Sequence, residues 1–290
     1  MKIKSFLVLT CFFITVAFSV QAQDVDSKLS ETEMALMNGN NEQALNLSKD
    51  LIERGKGDSV QLATMYCYAG LASDQLKKPE DAINYYKKSI ELKVPRLDIY
   101  DRMISLTKKM KKNDEYEWAL LEKQKAFPDF KIPIDKSLAN LYLKTKQFDK
   151  FLAVTNELIE AYPENPAYYN YQGVACQNLG KFDQAIAAFK KVLELDPDHS
   201  YANMSLGMIY YKEGSNKFDQ LRDDYEKKKN PNWDEYIKYH NSLDEPEALY
   251  RKALPYLLKA YKDETYAQLK DVLSVIYTRL GEKDKAAKYK

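Results

Sequence analysis

A repeat with a period of 34 residues constrains the fold of this sequence more than any other feature. Gly173 and Gly207 are 34 positions apart, and Gly180 and Gly214 have the same separation. Each period contains two segments of helical length on either side of a glycine. A fixed period of this size with two helices per unit indicates an array in which successive helix pairs stack and bury their apolar faces. The sequence therefore predicts an all-α solenoid.

The unit from Pro166 to His199 shows the pattern most clearly. Gly180 can adopt a positive φ angle at no steric cost, so it can end the first helix of the pair. Asp196 and Pro197 end the second helix before the next unit begins. The apolar residues of the second helix recur at helical spacing and define one face: Ala185, Ile186, Phe189, Val192 and Leu193.

This unit resembles the tetratricopeptide repeat. Its small residues, aromatics and closing proline stand where that family places them: Gly173, Gly180, Phe182, Ala185, Phe189 and Pro197. The resemblance covers most of residues 23–290 and implies a right-handed α-solenoid of about seven antiparallel helix pairs. It also implies that the first helices of the pairs line a concave groove that takes a peptide or a helix of another protein.

The other units match this pattern less closely. Gly39 separates the two helices of the first unit, whereas Lys77 replaces the turn glycine of the second. The third unit, 97–128, has the composition of a helix pair, but its small residues are out of phase. On its helical composition we count this segment as one of about seven units.

The sixth unit contains about 34 extra residues, at about 215–247, before the second helix that carries Ala253. One interpretation is a degenerate extra repeat, opened by the second copy of the sequence Lys-Phe-Asp-Gln at 217–220. That helix would have a thin core, because the positions of three apolar residues of the fifth unit are occupied by charged residues here: Arg222, Lys228 and Lys229.

The second interpretation, which we favour, continues the first helix of this unit through Gly214. Asn230-Pro231-Asn232 then turns the chain, and a helical hairpin protrudes from the sixth repeat. The outgoing arm would carry a narrow heptad seam: Gly207, Tyr211, Gly214, Phe218, Leu221 and Tyr225. The returning arm would pack along the same seam with Trp233, Tyr236, Ile237, His240 and Leu243.

Residues 1–22 have the features of a secretory signal peptide. Lys2 and Lys4 precede an apolar run, and Val20-Gln21-Ala22 places small residues before a cleavage site at Gln23. The run is shorter than the roughly 20 residues of a membrane span, and no later stretch is apolar enough to be one. We therefore expect export to the periplasm or cell envelope and no transmembrane segment in the mature chain.

Charge and motifs argue against nucleic-acid binding and catalysis. Loss of the two lysines reduces the 44 basic side chains to 42, against 43 acidic ones, so the mature chain would not attract a polyanion over its whole surface. The sequence contains no Walker-type loop, GxGxxG, GxSxG or HExxH motif. We expect no enzymatic activity and no cofactor.

The residues that could bind a metal or form a disulfide are few. His199 and His240 have no cysteine or second histidine at metal-ligand spacing. After loss of Cys11, Cys67 and Cys176 remain, in helices of different repeats, and we interpret them as packing residues. Ser59 lies in a short segment that resembles an O-glycosylation acceptor of secreted bacterial proteins, so its modification stays open.

The inward positions of the first helices are the candidate binding residues for a protein or peptide partner. The alternative for the apolar ones is that they pack on neighbouring helices. The candidates are Lys136, Asn140 and Leu143 in the fourth unit, Asn170, Val174, Gln177 and Asn178 in the fifth, and Tyr201, Met204, Met208 and Tyr211 in the sixth.

These observations predict a non-enzymatic scaffold that binds a polypeptide partner in the cell envelope through its groove. One alternative is a structural component that self-associates through the hairpin or the last repeat. Another is an accessory subunit of an envelope or glycan-processing complex, in which tyrosines would stack on sugars.

Overall fold

The computed structural model describes residues 24–55 and 57–290, and the predicted signal peptide at 1–22 lies outside them. The described residues form helices and turns and contain no β-strand. None of their helices combines the length and the apolarity that a membrane span requires. They belong to two compact units, Met1–Leu141 and Tyr142–Lys290.

In the first unit, each helix between residues 41 and 126 contacts the next helix along the chain. Tyr86 and Met103 are fully buried in its central apolar cluster. The helices are α1 at 24–37, α2 (Asn41–Arg54), α3 (Ser59–Gln75), α4 (Pro79–Glu91), α5 (Leu97–Lys109), α6 (Asn113–Ala126) and α7 (Lys131–Lys144), whose last turn belongs to the second unit.

The second unit repeats this arrangement but contains one helix of twice the usual length. Its core is formed by two clusters, one around Phe189 and one around Tyr250 and Leu257. The helices are α8 (Phe148–Ala161), α9 (Pro166–Asn178), α10 (Phe182–Leu195), α11 (Ser200–Glu226), α12 (Trp233–Ser242), α13 (Asp244–Ala260), α14 (Leu269–Arg279) and α15 (Lys283–Ala287).

The helix pairs confirm the predicted number of repeats. Within the two units the pairs of the described residues are α1/α2, α3/α4, α5/α6, α9/α10, α11/α13 and α14/α15, and α7 and α8 are the two helices predicted for the fourth repeat. The third unit is a helix pair like the others, although its small residues are out of phase. The all-α fold of antiparallel helix pairs is therefore the one that the periodicity predicted.

Three glycines lie where the two helices of a pair approach each other most closely. A Cβ atom at Gly173 would lie 2.5 Å from the ring of Phe189, and one at Gly70 or Gly207 would lie 2.6 Å from its neighbour. The facing residue follows 16 positions after Gly70 and Gly173 but 50 positions after Gly207. The 34 inserted residues therefore leave the contact between α11 and α13 in the register of an ordinary repeat. The three pairs are Gly70 with Tyr86, Gly173 with Phe189 and Gly207 with Leu257.

The turn after the first helix of a pair uses a residue with positive φ. Gly39, Gly180 and Gly281 have φ angles of 75°, 71° and 73°. Lysines occupy the same turn in the second, third and fourth pairs with φ near 58°: Lys77, Lys111 and Lys146. The left-handed conformation is unfavourable for a residue with a Cβ atom by about 1–2 kcal/mol, so these three turns store strain.

We expect Lys111→Gly to stabilise the protein by about 0.5–1 kcal/mol, because relief of this strain exceeds the added freedom of the unfolded chain. The free energy of unfolding in urea measures the change. Gly180→Lys is the reverse control, since a Cβ atom there meets nothing within 4 Å and φ is the only obstacle. Equal stability of both variants and the parent would show that the turn residue is unimportant.

The structure decides between the two interpretations of the insertion. α11 runs without interruption through Gly214, which is buried against Tyr250 of α13. The chain turns after Glu226 and returns in α12. The continuous-helix interpretation is confirmed, and the degenerate extra repeat is wrong. We call residues 215–243, which contain the second half of α11 and all of α12, the finger.

The predicted packing of the two arms of the finger is wrong in part. Gly207, Tyr211 and Phe218 of α11 face the cluster around α13 and α14 rather than the returning arm. The contact between the arms is instead made by Tyr225 and Tyr239, whose rings stack at 4.6 Å. The predicted seam residues of α12 do not fill this contact: Trp233, Tyr236, Ile237 and His240 are exposed, and Leu243 is half-buried. The heptad residues of α11 therefore pack largely on α13, the second helix of the same repeat. The sequence alone did not show this choice of partner.

Candidate functional site

A cavity of about 760 Å³ lies in the second unit, between the end of α9, the beginning of α10 and the middle of α11. It is lined by Gln177, Asn178, Gly180, Phe182, Asp183, Ile186, Tyr201, Ile209, Lys212, Glu213 and Asn216. Its volume lies within the range of sites that bind small molecules or peptide side chains.

The turn between α9 and α10 positions the apolar wall of this cavity. Gly180 ends α9 in the left-handed conformation, and α10 begins two residues later at Phe182. Ala185 and Phe189 are fully buried, whereas Phe182, the first residue of the same helix, has 52% of its surface exposed. Ile186 follows one turn later. An exposed phenylalanine beside a cavity is an apolar contact available to a ligand.

Polar groups surround the apolar wall. Gln177 and Asn178 lie in the last turn of α9, where Asn178 Nδ2 donates a hydrogen bond to the carbonyl oxygen of Val174 at 2.8 Å. Lys212 and Asn216 lie on either side of Gly214, where an ordinary repeat would already have turned. The prolonged α11 therefore supplies part of the lining that a regular repeat would lack.

The structure brings three of the predicted binding residues together. Gln177, Asn178 and Tyr201 all line the cavity. Lys136 and Asn140 are exposed on α7 in the first unit, and Leu143, in the last turn of α7, is 37% exposed. For these three residues, binding stays a prediction.

The other predicted residues lie in packing contacts. Val174 packs against the cluster around Phe189, and the Oδ1 atom of Asn170 is buried without a hydrogen-bond partner in the described structure. Three more pack against the cluster around Tyr250 and Leu257: Met204, Met208 and Tyr211. These side chains pack on neighbouring helices, as the alternative in the sequence analysis expected for the apolar ones. Their role in binding stays a prediction.

Sequence reasoning missed the residues that α10 and the prolonged α11 contribute. Phe182 was assigned only to the repeat pattern, although it is the first residue of its helix and half of its surface is exposed. Lys212 and Asn216 are four apart and continue the face of Met208. A helical projection extended past Gly214 would have placed both on that face.

The histidine at position 199 and the two cysteines have structural roles, in helix capping and in packing. His199 caps α11, where its Nδ1 atom accepts a hydrogen bond from the backbone N–H of Ala202 at 3.2 Å. Cys67 and Cys176 are free and buried, as predicted. Burial raises the pKa of the Cys67 thiol to about 11 and also raises the pKa of Cys176, so both are protonated at neutral pH. Within the described residues, no group of three or more His, Cys, Asp or Glu side chains is placed to hold a metal ion.

The predicted acceptor segment at Ser59 forms the start of a helix. The Asp58 carboxylate caps α3 by accepting hydrogen bonds from the backbone N–H groups of Val60 and Gln61. Ser59 is the exposed first residue of α3. The capping role accounts for Asp58, and modification of Ser59 stays a prediction.

Two segments of the chain match family models of the tetratricopeptide repeat. One match covers residues 166–199, which form α9 and α10, and the other covers residues 63–93, which contain most of α3 and α4. These are the fifth and second helix pairs.

Solved structures with similar folds are tetratricopeptide and protein-binding proteins of low sequence identity. The C-terminal part of a TPR repeat-containing protein from Cytophaga hutchinsonii is 13% identical, with 90% of this chain and 92% of that chain covered and a TM-score of 0.47. A protein from Bacteroides ovatus described as protein-binding is 22% identical, with 76% and 99% covered and a TM-score of 0.46. YrrB, a TPR protein with an unusual peptide-binding site, is 18% identical, with 74% and 91% covered and a TM-score of 0.40.

Proposed function

This chain belongs to the tetratricopeptide repeat family, and from that premise we propose that it is a non-enzymatic scaffold that binds an extended segment of a polypeptide partner. The observation that carries the proposal is the cavity bordered by the exposed Phe182. We place the bound segment along α11, beside the turn between α9 and α10.

The length of the lined surface suits an extended peptide. Its lining residues on α11 run from Tyr201 to Asn216, a distance of about 22 Å at the rise of an α-helix. An extended chain covers this length with about six or seven residues. A compact small molecule would contact only part of it.

The lining chemistry also suits a polypeptide. The carboxamides of Gln177, Asn178 and Asn216 can donate to peptide carbonyls and accept from peptide N–H groups. Phe182 and Ile186 provide apolar surface for one side chain of the partner. Carboxamides and apolar side chains together can hold a backbone and select a residue.

We further propose that the partner is met outside the cytoplasm. The support is the sequence of residues 1–22, with its basic start, apolar run and small residues before Gln23. Export would also separate the mature chain from cytosolic polypeptides, so that the partner would be a periplasmic or envelope protein.

Site-specific photocrosslinking tests the groove and the location together. A photoreactive phenylalanine analogue at Phe182 would form an adduct with a defined polypeptide on irradiation of intact cells, because the side chain borders the bound segment. We expect the adduct in the envelope or periplasmic fraction, and mass spectrometry of the scaffold should find a chain that begins at Gln23.

The same analogue at Val60, which is 57% exposed at the start of α3, is the matched control and should give no such adduct. Gln177→Ala should weaken the adduct at Phe182 without changing the fold. Equal adducts from both positions would overturn the groove assignment. An uncleaved chain in the cytoplasmic fraction would overturn the location alone.

A further inference from the structure

The finger is a defined helical hairpin held by contacts between its arms. Besides the stacked Tyr225 and Tyr239, Lys228 forms an ion pair with Glu235 at 3.0 Å. The Glu235 side chain also accepts a hydrogen bond from the backbone N–H of Asn232 in a capping box. These interactions, the backbone contact first, lower the pKa of Glu235. The returning helix α12 is thereby fixed with one face toward α11 and the other toward solvent.

The outward face of α12 carries a continuous apolar stripe. Trp233, Tyr236, Ile237 and His240 follow the spacing i, i+3, i+4 and i+7, which places them on one side of a helix. Trp233 is 71% exposed, and its ring stacks on Tyr236 at 5.2 Å, while Tyr236 contacts His240 at 4.6 Å. A stripe of this spacing is how helices pack on one another, and here it has no partner within the described chain.

We propose that this stripe binds the same stripe of a second copy of the chain, so that the protein forms a two-fold symmetric dimer through its finger. An isologous contact requires a surface that is complementary to itself. Two antiparallel α12 helices related by an axis between positions 236 and 237 meet this requirement. Trp233 then lies opposite His240 of the second copy, and Tyr236 lies opposite Ile237 of the second copy.

The charges of the finger favour the same arrangement. Lys227 at the tip pairs with Asp224, and Glu245 at the base pairs with Lys217. Lys229 and Asp244 are exposed, and neither forms an ion pair within the described chain. The antiparallel arrangement brings the tip of each finger to the base of the other, so that each Lys229 approaches Asp244 of the second copy. Every contact occurs twice by symmetry.

The size of the stripe predicts a weak dimer. Three large side chains with these exposures present roughly 300–400 Å² of apolar surface, whereas a standard stable interface buries about 800 Å² on each partner. Association should therefore depend on protein concentration. Two charge pairs at the rim should make it weaken as salt is added.

Sedimentation of the mature chain, residues 23–290, from roughly 1 μM to roughly 500 μM tests this dimer. We expect the mass to rise from monomer to dimer over this range. Trp233→Ala should weaken association at least about tenfold, since a central tryptophan commonly dominates an interface. Met37→Ala is the control, because Met37 is 81% exposed in the first unit, away from the finger sequence.

Exchanging the charges of Lys229 and Asp244 tests the dimer in a way that misfolding cannot explain, because a misfolded single variant would not be restored by the second substitution. Lys229→Glu and Asp244→Lys should each weaken the dimer, and the double variant should restore it, because the exchanged charges again face each other. A monomer at every concentration, a dimer unaffected by Trp233→Ala, or a double variant no better than the single ones would overturn the proposal. Flotation of the monomer with lipid vesicles, lost in Trp233→Ala, would overturn it in favour of membrane contact.

Discussion

Gly173→Ala should destabilise the protein by about 2–3 kcal/mol, although alanine is the better helix former by about 1 kcal/mol. The added Cβ atom would lie 2.5 Å from the ring of Phe189, which is fully buried and cannot move aside without displacing its neighbours. Either the ring or the α9/α10 separation must change. The free energy of unfolding in urea and the thermal midpoint measure the loss.

The partner of this clash provides the control. Phe189→Leu removes the ring atoms that the new methyl group would meet, so the double variant should lose less than the sum of the two single losses by at least about 1 kcal/mol. Simple additivity would show that the contact between α9 and α10 tolerates the methyl group. A Gly173→Ala protein as stable as the parent would contradict the close approach itself.

Arg279→Ala should cost about 2 kcal/mol and loosen the finger, because this side chain joins α14 to the base of the finger. Its guanidinium donates to Ser215 Oγ at 3.0 Å and to Tyr250 Oη at 2.5 Å, and it forms an ion pair with Asp219 at 3.0 Å. It also lies over the ring of Phe218 at 4.4 Å. We expect the variant to unfold at lower urea and to be cleaved by trypsin within 215–243 before the rest of the chain.

Arg251 offers a matched arginine control on the neighbouring helix. It pairs with Glu282 at 3.2 Å but is 57% exposed at its side chain, so Arg251→Ala should change stability by less than about 0.5 kcal/mol. Cleavage of the finger at the parent rate in Arg279→Ala would show that the finger is held by α13 alone. The result also bears on the dimer, because a loosened finger presents its stripe less firmly and should associate more weakly.

The repeat made most of the fold predictable. Its period, the small residues at the helix crossing and the glycine turns each report a local requirement that one residue type satisfies best. Even the continuous α11 followed from Arg222, Lys228 and Lys229, whose charge excludes them from a repeat core. The lysines at the left-handed turns were harder to predict. Lysine disfavours a positive φ angle, and it adopts one here because the surrounding structure compensates the strain.

The candidate site was predicted only in part. Gln177, Asn178 and Tyr201 were found because they occupy inward positions of first helices. Phe182 was missed because a regular pattern treats the start of the second helix as packing, whereas at the first position of α10 the side chain stays half exposed. Met204 and Met208 were predicted to bind a partner but pack against the cluster around Tyr250 and Leu257. The sequence of an amphipathic helix does not show which neighbouring helix covers each side of it.

The sequence by itself determined the helix pairs, their number and the place of the insertion, because these depend on periodicity and on local conformational preference. The tertiary structure decided what each face of the inserted helices contacts. Tyr211 and Phe218 could have packed on the returning arm or on α13 and α14, and both choices satisfy the same heptad spacing. In the folded chain both residues pack on α13 and α14, where they bury apolar surface. The apolar stripe of α12 is therefore left exposed.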